Sequence, residues 1–346
     1  MTKPYDLLAV AAAFGETRQM SLRDPKFREA FASHVEASLD EALDDPLLLH
    51  GQRTQAMFEA LVFALGEVML IKQEDGGRLF PSDRFRLPDN RIVLQGGEQW
   101  LVEVKNVYRH DPTIQRSNRL LRRPYLEAQQ AYAAATGAKL KLAVYWARWS
   151  IWTLVSPEDF TDVNGDVSID LHEAMRANEL AELGDRTLGT RAPLRFRMVM
   201  DGEKTSPIAA NGDVLITIGK AQLMAGERVI EDEIEREIAS VLMEYGDWTC
   251  DGPLAQIEGD RLLSIDFVWE PEHATPGQGF DMVGTLSRMF ARYYARKTLR
   301  EGEVRQLRAP MRPGWFAPLT SGEMPQRVLP LWRFALKPVA PLRKAA

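Results

Sequence analysis

Between residues 87 and 106 the sequence reads Leu-Pro-Asp-Asn-Arg-Ile-Val-Leu-Gln-Gly-Gly-Glu-Gln-Trp-Leu-Val-Glu-Val-Lys-Asn, and its period of two narrows what the chain can build. Side chains on a strand alternate faces. Trp100, Val102 and Val104 therefore share one face, while Leu101, Glu103 and Lys105 share the other. Ile92 and Leu94 must join the first face if the two segments pair as a hairpin, which requires opposed residues of equal parity. A three-residue loop over Gly96, Gly97 and Glu98 supplies that parity, with glycine for the left-handed position. The expected register sets Ile92 opposite Val102, Leu94 opposite Trp100 and Asp89 opposite Lys105. One face is then core, and the other gathers the carboxylates of Asp89 and Glu103 with one ammonium at a strand end. Like charges gathered in this way are costly unless a cation lies between them.

Hard divalent cations such as Mg²⁺ or Mn²⁺ take carboxylate, carbonyl and water oxygens, so Asp89, Glu103 and the backbone carbonyl of Val104 form a candidate partial shell. Lys105 beside it would orient or help deprotonate an attacking water and counter phosphate charge. Upstream, an apolar helix from Gln52 to Leu65 carries Gln52, Gln55 and Glu59 on one stripe, which makes Glu59 a candidate third carboxylate. Competing local readings exist for each residue. Pro-Asp-Asn is also turn chemistry, in which case Asp83 is the rival ligand. A Glu-Val-Lys triplet is also a common cross-strand ion pair, and Glu59 equally fits a solvent-facing position.

The surrounding pattern places this hairpin in an ordered context. Residues 1–50 read as an acidic, helical cover with Phe27, Phe31, Val35 and Leu39 at helical spacing. After the helix that closes near Gly66 come strands at 67–71, 91–95 and 99–106, a basic linker, a helix at 125–136, and strands at 141–146 and 151–155. A polar stretch from 161 to 194 reads as a linker. Residues 195–308 read as a second α+β domain, with strands near 195–200, 213–217, 254–258 and 261–269 and helices at 230–244 and 280–299. From 309 the chain holds seven of its 20 prolines and reads as an extended basic tail that wraps something.

Pro88-Asp89, then Glu103 fourteen positions further on in Glu103-Val104-Lys105, set within helix, three strands, helix and strand, resemble the PD-(D/E)XK nuclease superfamily over residues 51–155. The resemblance implies an α/β protein with a restriction-endonuclease-like core at 51–160, a mixed sheet flanked by helices. It implies Asp89 and Glu103 as metal ligands, Lys105 as the catalytic lysine and Glu59 as the accessory helix acid of some branches. A glutamine of the following helix contributes in some branches, which adds Gln129 or Gln130. The implied activity is Mg²⁺-dependent or Mn²⁺-dependent hydrolysis of DNA, endonucleolytic in preference to exonucleolytic, with RNA as the other substrate. Some members have lost activity, so the alternative is a module that binds nucleic acid or a protein without cutting. Restriction, repair, junction resolution, transposition and phage defence share the fold, and fold alone does not choose among them.

Charge distribution bears on the partner. The net charge of the 346 residues is -6, but residues 284–346 hold 13 Lys+Arg against 3 Asp+Glu, and the rest holds 30 against 46. Such asymmetry points to a polyanion-facing surface. Arg109, Arg116, Arg119, Arg122 and Arg123 follow directly after Lys105 and are candidate phosphate contacts. Arg288, Arg292, Arg296 and Arg300 repeat every four residues, as either a phosphate track or the paired face of an amphipathic helix. Trp146, Trp149 and Trp152 read as core and rim in preference to a base-stacking set.

Other chemistries fall away. The single Cys250 precludes an intramolecular disulfide, and reads as a buried or half-buried packing residue. Five histidines show no paired zinc-ligand spacing. Asp162, Asn164, Asp166 and Glu173 imitate a calcium loop, but Val167 stands where the turn needs glycine. With no long apolar run and no cationic leader, the expected location is the cytoplasm. The second domain is expected to select substrate, hold a protein partner or form a homodimer.

Overall fold

In the computed structural model, residues 4–74, 79, 84–108, 118–310, 316, 319 and 328–338 are described. The chain opens with helices α1 (Pro4–Arg18) and α2 (Phe27–Asp44). Phe14, Phe27 and Ala11 make a small separate cluster, which Phe31 and the stacked His34 border. The expected α2 stripe is buried only in its first turns. Val35 and Leu39 are exposed, because α1 reaches no further along the helix.

Helix α3 (Pro46–Leu65) begins six residues earlier than its apolar pattern suggests. Asp45 caps it by accepting the N–H groups of Leu47 and Leu48, and Pro46 takes the first helical position, where its missing N–H costs nothing. Gly66, with φ of 79°, ends it.

Strands β1 (Val68–Gln73), β2 (Asn90–Leu94), β3 (Gln99–Val107), a short β4 (Asn118–Leu121), helix α4 (Arg123–Ala135), β5 (Lys139–Trp146) and β6 (Ile151–Val155) follow. They build a mixed sheet ordered β1-β2-β3-β5-β6, in which β3 and β5 are parallel and the other pairs antiparallel. The helix α4 makes the crossover that a parallel pair requires. Alternation along β3 divides two cores. Trp100, Val102 and Val104 meet Met57, Phe58 and Leu61 of α3, while Leu101 meets Leu126 and Ala133 of α4. Both faces of β3 are therefore covered, and the face expected to be open is roofed by α4. Trp146 and Trp152 are fully buried.

Residues 161–194, expected as a linker, carry β7 (Val167–Ile169), α5 (Leu171–Arg176) and β8 (Thr187–Thr190). Asp170 and Glu173 form a reciprocal capping box on α5, while Asp162 accepts the Asn164 and Asp166 N–H groups and Asp166 that of Arg123, so the residues of the calcium-like spacing serve a turn and a helix cap. Beyond lie β9 (Leu194–Met200), β10 (Ile218–Ala225), β11 (Arg228–Val229), α6 (Glu233–Tyr245), β12 (Thr249–Glu258), β13 (Arg261–Glu270), β14 (Asp281–Thr285), α7 (Leu286–Thr298), the paired β15 (Leu299–Arg300) and β16 (Glu303–Val304), and β17 (Leu331–Phe334).

Two segments take a different form from the one expected. Residues 213–217 form no strand, because Ser206 and Asp201 take the carbonyls of Leu215 and Thr217 in a loop. The ladder starts only at Ile218, opposite the last residue of β9. Residues 281–285 are strand and not helix, since Thr285 caps α7 by accepting the Arg288 N–H. Arg288 and Arg292 of α7 pair with Asp247, and Arg296 with Glu244, so this face serves packing. Cys250 is exposed on β12, contrary to the expected packing role, because β12 is an edge strand with no exposed-side cover. In the tail, β17 adds to β8. No described helix is long and apolar enough to cross a membrane.

The C-terminal unit shares one continuous apolar cluster with α3, reaching Leu242, Phe290 and Tyr294. At this joint Arg53 is 2% exposed, with its Nε donating to Thr298 Oγ1 at 2.7 Å and its guanidinium 5.4 Å from the Tyr294 ring centre. Burial lowers the pKa of Arg53, and among the described residues Nη2 has no hydrogen-bond partner. Thr298→Val keeps the shape and removes the acceptor. It is expected to cost about 1–3 kcal/mol, the usual penalty for stranding a buried donor, read as a lowered urea midpoint at unchanged slope.

Candidate active site

The hairpin that carries the acidic residues is set by its loop. A three-residue loop of this class places its left-handed residue last, so glycine must be third. The loop is accordingly Gln95-Gly96-Gly97, with Gly97 at φ of 85° and the Leu94 N–H donating to Glu98 O at 2.9 Å. Ile92 lies opposite Trp100, and Asn90 opposite Val102. Parity is as expected from the sequence, but the register is shifted by two residues, because the expected loop put Glu98 where the glycine is needed. Continued by one step, the observed register sets Asp89 opposite Glu103 instead of Lys105.

One further step sets Pro88 opposite Val104. This is a hydrogen-bonded position of the ladder, counting by twos from Leu94 and Glu98. Proline has no N–H to give, and β2 begins only at Asn90. Asp89 fills part of the gap, its Oδ2 accepting the Val104 N–H at 2.7 Å. The N–H and C=O of one strand residue point to the same edge, so the Val104 carbonyl also faces the Asp89 side. Asp89 is held twice more: its other carboxylate oxygen accepts from the Gln55 amide of α3, and its backbone carbonyl accepts the Glu74 N–H at 2.8 Å.

Glu103 sits beneath α4 with 3% exposure. A carboxylate this deep must be bonded throughout. Oε1 accepts from Lys105 Nζ at 2.5 Å and from the Tyr125 hydroxyl at 3.3 Å, and Oε2 accepts from Gln129 Nε2 at 2.6 Å. Gln129 is fully buried, and among the described residues its Oε1 has no hydrogen-bond partner. The Lys105 ammonium lies 5.5 Å from the centre of the Tyr125 ring. Burial, and then the charges of Glu103 and Asp89, raise the pKa of the Tyr125 phenol.

Tyr125, Gln129 and Tyr132 lie at steps of four and three and form one stripe of α4. The third of them serves a second buried carboxylate: Glu74 accepts from the Tyr132 hydroxyl at 2.6 Å and from Arg91 at 2.6 and 3.1 Å. Burial pushes Glu74 upward, but the hydrogen bonds from Arg91 and Tyr132 more than offset it and bring its pKa down to about 2.

The remaining candidates divide clearly. Glu59 accepts from the Gln73 amide at 2.7 Å and lies 3.8 Å from Arg308, so it joins α3 to β1 and the C-terminal segment. Gln55, one turn earlier on the same stripe, is the α3 residue that reaches Asp89. Gln130 is exposed, one position off the Gln129 face. Asp83, Arg109 and Arg116 lie outside the described residues. Arg119 is 3.4 Å from Asp166, Arg123 is 2.8 Å from Glu127, and Arg122 is exposed at the start of α4.

Sequence reasoning passed over Gln55, Tyr125, Glu74 and Arg91 as functional partners. The polar stripe on an otherwise apolar α3 and the Tyr-Gln-Tyr spacing on α4 were the available signals.

Among the described residues no three Asp, Glu, His or Cys side chains form a metal-holding group. The continued register sets Asp89 opposite Glu103, and these two carboxylates with the Val104 carbonyl are hard oxygens of the kind a hard divalent cation takes, with water filling the rest of its shell.

No family model matches the chain, and no curated protein matches it. Among solved structures, that of Archaeoglobus fulgidus Hjc, a Holliday junction resolvase from an archaeal hyperthermophile, aligns with 33% of this chain and 84% of its own at 20% identity and a TM-score of 0.26.

The Glu74 network yields a pH prediction. A carboxylate with a depressed folded pKa stabilises the fold above its unfolded value of about 4.5, and that contribution is lost as pH falls toward about 2. Glu74→Gln is expected to cost roughly 3 kcal/mol at neutral pH, the low end for removing one partner of a buried ion pair. Denaturation across pH should show the gap between variant and wild type closing below about pH 4.

Proposed function

We propose that the chain is a nuclease that hydrolyses DNA phosphodiester bonds with Mg²⁺ or Mn²⁺, cutting internally, with Asp89, Glu103 and Lys105 at its centre. The reading places the chain with the PD-(D/E)XK enzymes. One observation carries it: at the open end of β2 the Asp89 carboxylate takes the Val104 N–H, directly beside the buried Glu103 and its Lys105 neighbour.

Asp89, Glu103 and the Val104 carbonyl would hold the cation, which supplies Lewis acidity and neutralises phosphate charge when bound. Gln55 and the Val104 N–H fix the direction of Asp89. Gln129 and Tyr125 do the same for Glu103. Lys105, partly open to solvent, places an ammonium where a phosphate would enter and holds a proton beside the attacking water. Arg122 and Arg119, on the approach to α4, add charge for the backbone. Glu59, turned to Gln73 and Arg308, has a structural part in this scheme. The C-terminal α+β unit selects the substrate or holds a protein partner or a second copy.

A second reading, a nuclease-fold module that binds without cutting, is favoured by a different observation: the α3 residue against Asp89 is the neutral Gln55 and not an acid. Cleavage separates the two. Supercoiled, linear and single-stranded DNA are incubated with Mg²⁺ or Mn²⁺ and wild type, Glu103→Gln or Lys105→Ala. Wild type is expected to nick, and each variant to be slower by at least about 10²-fold. Equal nicking by all three would remove the assigned site, and binding with no cleavage would select the second reading.

A further inference from the structure

Between α6 and the sheet ordered β11-β10-β9-β13-β12 lies a cavity of about 670 Å³. That volume is in the range that takes a small organic molecule. Leu223 of β10, Phe196 of β9 and Trp269 of β13 line its sheet side. Leu223 is registered opposite Phe196, and Trp269 opposite Leu194, two residues along β9 from Phe196, so the three share one face of the sheet. Arg236, Ser240 and Met243, at steps of four and three, form the stripe of α6 that lines the other side. Phe196, Leu223 and Trp269 are each half-buried. Aromatic surface left half-covered in a concave site is surface that a flat ring would remove from water.

The charge of the lining is unbalanced. Glu244 accepts from Arg296 Nη1 at 2.7 Å, and the Arg296 guanidinium lies 5.0 Å from the centre of the Tyr245 ring. These contacts hold Arg296 and match the charge of Glu244. Arg236 is exposed, and among the described residues it makes no ion pair. One positive charge therefore stands uncompensated in a lining that is otherwise aromatic and aliphatic, with Gln222 adding an amide. Cys250, the register partner of Trp269, is exposed at the same cavity.

We infer that this cavity binds a small planar aromatic anion, with its ring against Trp269 and Phe196 and its negative group at Arg236. Nucleotides and aromatic carboxylates share that chemistry. A neutral ring would leave Arg236 without a counter-charge, and an aliphatic acid would leave the aromatic rings without a stacking partner. The cavity belongs to the C-terminal unit, and the inference does not rest on the nuclease reading.

Fluorescence titration of the full chain with two dyes of like shape, the anionic anilinonaphthalene sulfonate and the neutral phenylnaphthylamine, tests this. The anion is expected to bind saturably, one per chain, and about 5- to 20-fold more tightly than the neutral dye. Arg236→Gln, a change at an exposed position, is expected to remove that preference and leave the neutral dye unaffected. Trp269→Ala is expected to weaken both dyes roughly 3- to 10-fold, with Trp269→Phe closer to wild type. Bound anionic dye is expected to slow alkylation of the Cys250 thiol by iodoacetamide. Equal binding of the two dyes, an Arg236→Gln protein that keeps the preference, or a Cys250 rate indifferent to bound dye would overturn the inference. Competition separates the two sources: whichever of a nucleoside monophosphate and an indole carboxylate displaces the dye at lower concentration gives the ligand's class, and displacement by neither would overturn the assignment.

Discussion

The bond from the Val104 N–H to the Asp89 carboxylate is the constraint on which the rest of the site depends. It exists because Pro88 cannot continue the β2 ladder and Asp89, the next residue, can bend its side chain into the vacated position. A ladder that ran one pair further would give the Val104 carbonyl a backbone donor. Stopped where it is, the sheet leaves the Asp89 carboxylate on the edge that the Val104 N–H and carbonyl share, with a second carboxylate, Glu103, on the opposed strand. The Gly97 loop fixes this meeting, since a shift of two residues would carry Asp89 past Glu103 to Lys105.

Holding an acid at 3% exposure is expensive, and the fold meets the cost with directed donors. An isolated buried carboxylate would cost several kcal/mol. The α4 stripe of Tyr125, Gln129 and Tyr132 spans two such groups, Glu103 and Glu74, with Lys105 and Arg91 as their cations. On the opposite face α3 delivers Gln55 to Asp89, while Arg53 and Glu59 of the same helix hold the C-terminal unit through Thr298 and Arg308. The C-terminal unit thus helps to fix the helix that orients Asp89.

Much of this was legible in the sequence. The order of elements from α3 to β6, except the short β4 that lies in the segment read as a basic linker, follows from periodicity and glycine placement, and strand parity alone put Glu103 and Lys105 on one face and Trp100, Val102 and Val104 on the other. The register was not legible in the same way, because two neighbouring glycines admit two loops and only the left-handed third position decides between them. Burial of Glu103 also lay beyond the pattern. A Glu-Val-Lys triplet reads as solvent-facing, and only the crossover between parallel β3 and β5 brings α4 over that face. Gln55 and Glu59 shared a stripe in the sequence, but one turn of helix separates a residue that reaches Asp89 from one that reaches Gln73. The α7 arginines show the same limit: their spacing was plain, while the Asp247 and Glu244 that pair with them come from another segment.

The central claim is that Asp89 and Glu103 together hold a divalent cation. Calorimetric titration of Mn²⁺ into the folded chain, with Asp89→Asn and Glu103→Gln beside it, tests this without reference to any substrate. The account predicts one saturable site in the wild type that both single variants lose while their unfolding transitions remain cooperative. Binding of equal strength in all three proteins, or none in the wild type, would contradict it.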